Sequence, residues 1–172
     1  MIDLYKKETL KKISDNKVRL EKKLKVKIQI KPQSLDLEGD SLNVYTANQV
    51  FQALDRNFSF EIALLLLEPE YYIEDIHIKA VTKKTNLKLI RARIIGTEGR
   101  TLELISELSD CYLTLHENTV SILGTFEKMK LAINAVKSLI LGSKQSNIYS
   151  YLEKSRKISH PKGIELKGFK NK

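Results

Sequence analysis

Two glycines three positions apart, Gly96 and Gly99, interrupt a stretch with helical spacing on both sides. Glycine adopts positive φ and lets another backbone approach closely, so this spacing predicts a tight loop with exposed amides between two helices. Amides at the start of a helix face the positive end of its dipole, which suits a phosphate group. Arg93 and Arg100 flank the loop and would add positive charge. Two glycines alone are more often a structural turn, so the prediction depends on the elements around them.

The net charge of +9 on the 172 residues is concentrated in parts of the chain. Residues 143–172 carry most of the excess, and a second basic cluster surrounds the glycine loop, with Glu98 as its only acidic residue. That cluster consists of Lys79, Lys83, Lys84, Lys88, Arg91, Arg93 and Arg100. Local positive charge favours an anionic partner, although many basic proteins are merely soluble.

A further group of lysines lies near the N-terminus. It consists of Lys6, Lys7, Lys11, Lys12, Lys17, Lys22, Lys23 and Lys25. We expect these lysines to form a solvated helix face, because no glycine loop accompanies them. The alternative is a diffuse patch that follows the phosphates of a nucleic acid.

The chain offers little for catalysis. Its histidines, His77, His116 and His160, are scattered, and the single cysteine, Cys111, cannot complete a zinc site of four ligands. The sequence contains no Walker loop and no nucleophile elbow, so we expect neither an enzyme nor a metal or cofactor. We expect Cys111 to be a small core residue at the start of a strand.

The sequence also predicts a cellular compartment. A single cysteine cannot form an internal disulfide, which agrees with a reducing cytosol. The longest apolar runs, such as residues 62–67, are far too short to span a membrane, and no signal peptide opens the chain. We therefore expect a cytoplasmic protein with no membrane partner.

The hydrophobic spacing of the first part predicts the order helix, strand, strand, helix. Apolar residues recur at helical spacing up to Leu24 and then alternate with polar residues up to Ile30. The predicted elements are a helix over 6–24, a strand over 26–30, a strand over 42–46, and a helix capped by Asn48 that runs to about 68.

The second part predicts the order β-α-α-β-β-α. The predicted elements are a strand containing Ile73, Ile76 and Ile78, a helix over 87–95, the glycine loop, a helix around 102–108, strands over 112–115 and 120–123, and a helix over 126–141 capped by Gly142. The first part repeats this order in degenerate form, at a period of roughly seventy-five residues. It has lost the glycines, and its opening strand can only be residues 2–5.

The predicted fold class is therefore α+β, with two tandem units. The predicted division is a degenerate unit without a Gly-x-x-Gly loop over 1–69, a unit with that loop over 70–142, and a C-terminal region over 143–172. We expect that region to begin with a helix from 146 to about 157 and to continue as a basic tail.

Four motifs of the second part form a combined signature. They are Arg93-Ile94-Ile95-Gly96-x-x-Gly99-Arg100-Thr101, Ile122-Leu123-Gly124-x-Phe126, Leu139-Ile140-Leu141-Gly142-Ser143 and Tyr149-x-x-Leu152-Glu153. The signature resembles the Partner-of-Nob type KH proteins, which are assembly factors of the small ribosomal subunit. The resemblance implies two tandem type I KH domains, the first degenerate, and the short N-terminus is similar to the archaeal form.

The resemblance also implies a function. Family members bind the 3′ region of small-subunit ribosomal RNA and cooperate with the PIN-domain endonuclease that trims this end. Archaeal members are also linked to the alpha subunit of initiation factor two. The implied RNA-binding residues are Gly96, Thr97 and Gly99 in the loop, Arg93 and Arg100 beside it, and, as weaker candidates, Lys88 and Arg91 on the preceding helix.

The loop departs from the family pattern at Thr97-Glu98, where a basic residue is usual. A carboxylate beside a bound phosphate is repulsive, although solvent screening keeps the effect modest. This leaves a second hypothesis open, a protein-docking adaptor for the endonuclease or the initiation factor with weak RNA affinity. The apolar run 62–67 suits packing against the second unit or a partner.

Overall fold

Helices dominate the first half of the chain. The computed structural model describes residues 5–32 and 34–159, with side chains up to residue 156. The elements of this half are α1 (Lys7–Asp15), α2 (Lys17–Leu24), β1 (Lys27–Ile30), β2 (Leu35–Glu38), α3 (Ser41–Asp55), α4 (Phe60–Ala63) and a 3₁₀ turn over Leu64–Leu67. Residues 2–4 of the predicted opening strand and the tail beyond residue 159 lie outside the described residues.

The second half contains the predicted β-α-α-β-β-α order. Its elements are β3 (Tyr71–His77), α5 (Ile78–Val81), α6 (Leu87–Ile95), a 3₁₀ turn over Thr97–Gly99, α7 (Arg100–Ser109), β4 (Tyr112–His116), β5 (Thr119–Thr125), α8 (Phe126–Leu141) and α9 (Gln145–Ser159). The predicted helices over 87–95 and 126–141 are confirmed, and Gly142 ends α8 with a φ of 113°. Ile78 begins the short helix α5, so its assignment to a strand was wrong.

The strands of the second half form an antiparallel sheet in the order β3-β5-β4. Ile76 pairs with Val120, and these side chains lie in the core beneath α6 and α8. Asp75 pairs with Ser121 and points to the other face, because successive residues of a strand alternate between the faces. The first half of the chain covers this second face, where Leu123 joins the first core.

The sequence prediction was wrong about where α3 begins and ends. Residues 42–46 belong to this helix, and β2 is the actual partner of β1. Asp40 caps the helix, since its carboxylate accepts a hydrogen bond of 3.0 Å from the Leu42 amide. The helix ends at Asp55 and does not run to residue 68, because Asn57 takes a left-handed conformation with a φ of 69°. The cap and the burial of one face outweigh the strand preference of Val44-Tyr45-Thr46.

The single helix predicted over 6–24 is two helices. Asn16, with a φ of −115°, separates α1 from α2. Its side-chain amide donates a hydrogen bond of 2.9 Å to the carbonyl of Lys12. Asparagine side chains compete with the helix for backbone hydrogen bonds in this way. This explains why the helix breaks at Asn16 although the apolar spacing continues across it.

The first core lies between the helices of the first half and the sheet. Ile13, Leu20, Phe51 and Phe58 are fully buried in it. The apolar run 62–67 packs here as well, with Ala63 and Leu64 buried and Leu67 36% exposed. Residues 62–66 therefore belong to a core that also includes Leu123 of β5, which agrees with the first of the two predicted roles, packing against the second unit or against a partner.

Two further cores lie in the second half. One is between the sheet and helices α6 and α8, and the other joins α7, α8 and α9 through Ile105, Leu139, Ile148 and Leu152. The predicted C-terminal helix is thus confirmed as α9, which packs on α7 and α8. The proposed boundaries at residues 69 and 142 stay predictions.

A polar contact joins the two halves beside the first core. The Arg56 guanidinium donates from Nε to both carboxylate oxygens of Asp75, at 2.9 and 2.8 Å, and Ser121 donates to the same carboxylate at 2.6 Å. Thr114 donates to the backbone carbonyl of Arg56 at 2.8 Å. Burial by itself raises the pKa of Asp75, but the hydrogen bonds from Arg56 and Ser121 and the charge of Arg56 hold it below its usual value.

We predict that Asp75→Asn lowers the free energy of unfolding by about 2 kcal/mol at pH 7, because it removes charge-assisted hydrogen bonds from a half-buried arginine. The lowered folded-state pKa means that the ionised form stabilises the protein above about pH 4, and that this stabilisation is lost as the pH falls through the folded-state value. Urea unfolding at several pH values should therefore show the difference between wild type and variant shrinking in acid.

Asp36→Asn is the matched control for this experiment. Asp36 pairs with Lys31, but its side chain is 48% exposed. An exposed ion pair contributes less than about 1 kcal/mol. Equal losses in the two variants would contradict a special role for the Arg56–Asp75 contact.

Candidate nucleic-acid interface

Gly96 occupies a backbone conformation that is essentially restricted to glycine. Its φ is 74° and its ψ is −178°. A Cβ built at this position would lie 2.1 Å from Oγ1 of Thr101 and 2.8 Å from the backbone nitrogen of Thr101. The chain thus turns so tightly after α6 that residue 96 touches the first turn of α7, and both the conformation and the space require glycine.

Two left-handed residues complete the turn. Glu98 has a φ of 52° and Gly99 a φ of 81°. A Cβ built on Gly99 would meet nothing within 4 Å, so the backbone conformation alone favours glycine there. Gly99 is also the N-cap of α7 and supplies no side-chain acceptor. The first-turn amides of α7 therefore lack a side-chain cap, as expected of a helix end that receives an anion.

The loop is open to solvent at its tip. Thr97, Glu98 and Arg100 are exposed, and Gly96 and Gly99 are half-buried. The structure thus brings four of the predicted site residues, Gly96, Thr97, Gly99 and Arg100, together at the positive end of α7. The carboxylate of Glu98 lies among them.

Helix α9 holds the loop from behind. Thr101 is only 3% exposed, and its hydroxyl accepts hydrogen bonds from Nε2 of Gln145 at 2.8 Å and from the Tyr149 hydroxyl at 3.2 Å. Nε2 of Gln145 also donates to the backbone carbonyl of Arg93 at 3.3 Å, so Gln145 connects the end of α6 to the start of α7. Sequence reasoning missed Gln145 and named Tyr149 only as part of a family motif, because no local pattern links either residue to a loop more than forty positions earlier.

The Arg93 side chain lies at the C-terminal end of α8. A Cβ built on Gly142 would lie 3.2 Å from Nη1 of Arg93 and 3.4 Å from Nζ of Lys84. Lys84 also donates a hydrogen bond of 3.4 Å to the carbonyl of Leu141. These two cations therefore face the negative end of the α8 dipole, where positive charge is stabilising.

The two weaker candidates on α6 occupy different surroundings. Nη1 of Arg91 donates to the carbonyl of Glu117 at 3.4 Å and to Oδ1 of Asn118 at 3.5 Å, both in the turn between β4 and β5. Lys88 is exposed beside Leu89, whose exposed fraction is 63%. The structure thus gives Arg91 a structural partner and leaves Lys88 on the outer surface of α6.

A groove begins at the loop and runs between α7 and β4. It has a volume of about 570 Å³. It is lined by Gly99, Leu102, Glu103, Ser106, Glu107, Asp110, Cys111, Tyr112 and Leu113. One side of β4 pairs with β5, and its other edge carries no strand in the described sheet. The sequence did not predict this groove, because it exists only once α7 and β4 are packed side by side.

The lining of the groove suits bases better than phosphates. Leu102 and Leu113 offer apolar surface on which a base can pack. Glu103 and Glu107 repel phosphate, but their carboxylates can accept hydrogen bonds from the amino groups of bases. The lining therefore favours a strand whose backbone stays at the loop and whose bases enter the groove.

Cys111 is a packing residue. It is 2% exposed, and a Cβ on Gly124 would lie 2.7 Å from its sulfur, so the Cys111 side chain packs directly against Gly124 of the neighbouring strand β5. Burial raises the pKa of its thiol to about 11, which keeps it protonated at neutral pH. Among residues 5–32 and 34–159, no group of three or more His, Cys, Asp or Glu side chains could hold a metal ion. In the same ranges, no helix is both long and apolar enough to cross a membrane.

The three-stranded antiparallel sheet, the helices packed on it and the Gly-x-x-Gly loop between α6 and α7 define a type I KH domain. Residues 72–157 match the family model of the PNO1 second KH domain, described as a eukaryotic type KH-domain, type I. The chain belongs to this PNO1 family of KH proteins. The resemblance stated from sequence is thereby confirmed.

Three similar proteins place the chain within this family. A KH domain-containing protein of Methanocaldococcus jannaschii is 33% identical over an alignment of 147 positions, which covers 81% of this chain and 65% of that protein. The pre-rRNA-processing protein PNO1 of Candida albicans is 32% identical over 76% of this chain and 50% of its own length. The chain thus spans about half to two thirds of these curated relatives.

The third comparison is a solved structure. The crystal structure of an a/eIF2alpha-aDim2p-rRNA complex from Pyrococcus horikoshii contains a chain that superimposes with a TM-score of 0.81 at 29% identity. The match covers 92% of this chain and 94% of that one. The similarity therefore extends over both halves of the fold, including the half without a glycine loop.

We predict that alanine is tolerated very differently at the two glycines. Gly99→Ala should cost about 1 kcal/mol of folding free energy, because only the left-handed conformation opposes a Cβ there. Gly96→Ala should cost about 3 kcal/mol or more, since strain adds to overlap with Thr101. Urea unfolding measures both values, and equal losses would contradict the loop geometry.

We also predict that Gln145→Ala loosens the loop. The variant should lose about 1 kcal/mol of stability. Amide hydrogen exchange over residues 96–101 should become faster than in the control Asn147→Ala, which alters an exposed residue of the same helix. Unchanged exchange in this loop, with stability lowered elsewhere, would mean that Gln145 contributes only to general packing.

Proposed function

We propose that this protein binds single-stranded RNA of the small ribosomal subunit as an assembly factor. The observation that carries the proposal is the solvent-exposed glycine loop at the start of α7, which opens into the α7–β4 groove. KH domains clamp about four nucleotides with such a loop. The name of the Candida albicans relative and the rRNA in the similar complex support ribosomal RNA as the ligand.

The proposed binding mode follows from the geometry of the loop. A phosphate lies against the first-turn amides of α7, and the exposed guanidinium of Arg100 adds a charge-assisted hydrogen bond. The bases turn toward Leu102 and Leu113. Arg93 makes no direct contact in this mode, because its guanidinium lies beside Gly142 at the end of α8. It adds only to the positive electrostatic potential around the loop. This role uses binding and positioning alone, and we propose no catalytic step.

The finer assignment concerns the RNA region and the partners. We propose that the RNA is the 3′ region of small-subunit rRNA and that the protein assists its maturation in the cytoplasm. The presence of a/eIF2alpha in the similar complex supports the alpha subunit of initiation factor two as a partner. The PIN-domain endonuclease is proposed from the family resemblance alone.

The second candidate function is a protein-docking adaptor with weak RNA affinity. The observation that favours it is the exposed carboxylate of Glu98 at the tip of the loop, where a phosphate would otherwise meet only amides and Arg100. An adaptor would still associate with pre-ribosomal particles through protein contacts when its loop no longer binds RNA.

We predict opposite effects of two substitutions in the loop. Glu98→Lys should tighten binding of a short single-stranded RNA about threefold or more, since a repulsive charge becomes an attractive one, and should steepen the salt dependence of binding. Gly99→Asp should weaken binding at least tenfold, because a carboxylate then occupies the position of the phosphate. Fluorescence anisotropy with an RNA from the small-subunit 3′ end measures both effects.

Glu61→Lys is the control for total charge, because Glu61 is exposed on α4 in the first half. If Glu61→Lys tightened binding as much as Glu98→Lys, the loop would not be the binding site. If Gly99→Asp bound RNA like wild type, the RNA-binding proposal would fall. Retention of the Gly99→Asp protein on pre-ribosomal particles, with RNA affinity lost, would support the adaptor instead.

A further inference from the structure

The α7–β4 groove carries carboxylates that have no cationic partner. Glu103 and Glu107 lie one turn apart on α7, and both are exposed. In the described part of the chain neither makes an ion pair, whereas Asp110 at the end of α7 is paired with Lys128 at 2.9 Å. Like charges at this spacing destabilise a helix slightly, so the two carboxylates suit a cationic occupant.

The other wall of the groove is the edge of a strand. In the described sheet β4 pairs only with β5, so the backbone groups along its second edge have no strand partner there. Such an edge can accept an additional extended segment. Leu102 and Leu113, both half-buried, add apolar surface to the same groove. An extended peptide that combines lysines with apolar side chains therefore fits this groove.

The chain itself contains such a peptide. Residues 160–172, which we call the C-terminal segment, follow the described residues and contain one acidic residue, Glu165. The lysines of the segment are Lys162, Lys167, Lys170 and Lys172, and its large apolar residues are Ile164, Leu166 and Phe169. In an extended conformation Ile164 and Leu166 would lie on one side, because successive residues alternate. The charge and the apolar residues of this segment are thus complementary to the groove.

Helix α9 leads the chain toward one end of the groove. At its start, Gln145 donates to Thr101 at the start of α7. Further along, Leu152 belongs to the same core as Ile105 in the middle of α7. The two helices therefore run side by side in the same direction, and α9 ends level with the C-terminal end of α7. Asp110, which lines the groove, lies at that end.

The C-terminal segment is long enough to follow the whole groove. Its thirteen residues span about 40 Å when extended. The ten residues of α7 form a helix only about 15 Å long. The segment can therefore turn at the end of α7 and run back along β4 as far as the glycine loop.

We propose that the C-terminal segment occupies the α7–β4 groove when RNA is absent, and that RNA must displace it. This inference rests on the proposed function, because the groove is the one assigned to the bases. The lysines of the segment pair with the two carboxylates, and Ile164 and Leu166 pack on the apolar lining. Because the segment belongs to the same chain, its effective concentration is on the order of millimolar, so weak contacts suffice to fill the groove.

The first test compares the full chain with a chain that ends at Ser159. The ligand is a four-nucleotide RNA, the length that a KH loop holds. We expect the shortened chain to bind about threefold more tightly, as it would if the segment left the groove free about a third of the time. The direction of the change is diagnostic, because the loss of four lysines would by itself weaken RNA binding.

A second variant keeps the full length and every charge. Ile164→Ser/Leu166→Ser removes only the apolar contacts of the segment, and it should bind the short RNA as tightly as the shortened chain does. The matched control is Leu42→Ser/Tyr45→Ser, which replaces two apolar side chains on α3 that are 70% and 63% exposed. This control should bind the RNA as wild type does. Circular dichroism verifies that all variants fold.

Amide hydrogen exchange without RNA measures whether the groove is occupied. Residues 112–116 of β4 should exchange about threefold more slowly in the full chain than in the shortened one, in line with the same occupancy. Residues 27–38, which contain β1 and β2, should exchange equally in both chains. The protection of β4 should not depend on protein concentration. Protection that rises with concentration would assign the groove to the segment of a second copy and overturn the contact within one chain.

Other results would also overturn this inference. They are equal or weaker RNA binding by the shortened chain, equal exchange of β4 in the two chains, and an equal gain of affinity in the tail variant and its control. Gly99→Asp in the shortened chain tests the proposed function separately. If it weakens binding of the short RNA, the RNA site stands whatever the segment does. If β4 is protected but Gly99→Asp leaves RNA binding unchanged, the segment contact stands and the RNA site falls.

Discussion

The contact between Gly96 and the first turn of α7 is the constraint on which the candidate site depends. A side chain at residue 96 would overlap the Thr101 hydroxyl and its backbone nitrogen, so the chain can reverse this tightly only because that residue has no Cβ. The tight reversal places uncapped amides and Arg100 at one exposed tip. Gln145 then fixes both ends of the loop from α9. The geometry of the site therefore depends on three helices, α6, α7 and α9, and not on the loop residues alone.

The two faces of the sheet make different kinds of contact, and both fix the position of the sheet. One face is apolar under α6 and α8, and the other combines Leu123 with a polar group of Asp75, Ser121 and Thr114. Arg56 satisfies the Asp75 carboxylate, so a charge that would be costly to bury becomes part of the contact between the halves. Because the first half covers this face, β4 offers only its edge to the groove.

Positive and negative side chains lie at different places around the candidate site. Arg91 and Arg93 are engaged with the β4–β5 turn and the end of α8, which leaves Arg100 and the amides at the loop. Carboxylates line the groove, where they discourage phosphate and can recognise base amino groups. Lysines without ion-pair partners in the described part of the chain lie on α1, α2 and β1. The charges at the loop and the groove fit the proposed binding mode, in which the loop holds a phosphate and the groove receives the bases.

The sequence by itself determined the fold class, the order of elements in the second half, and the glycine loop, because periodic apolar residues and paired glycines are local signals. It failed for 42–46, where β-branched and aromatic residues suggested a strand, since the cap at Asp40 and burial against the first core decide for a helix. Only the tertiary structure decided which cations remain at the loop, what supports Thr101, and where the groove lies. Those features depend on contacts between residues far apart in the chain, and local spacing carries no information about which distant side chain will fill a given space.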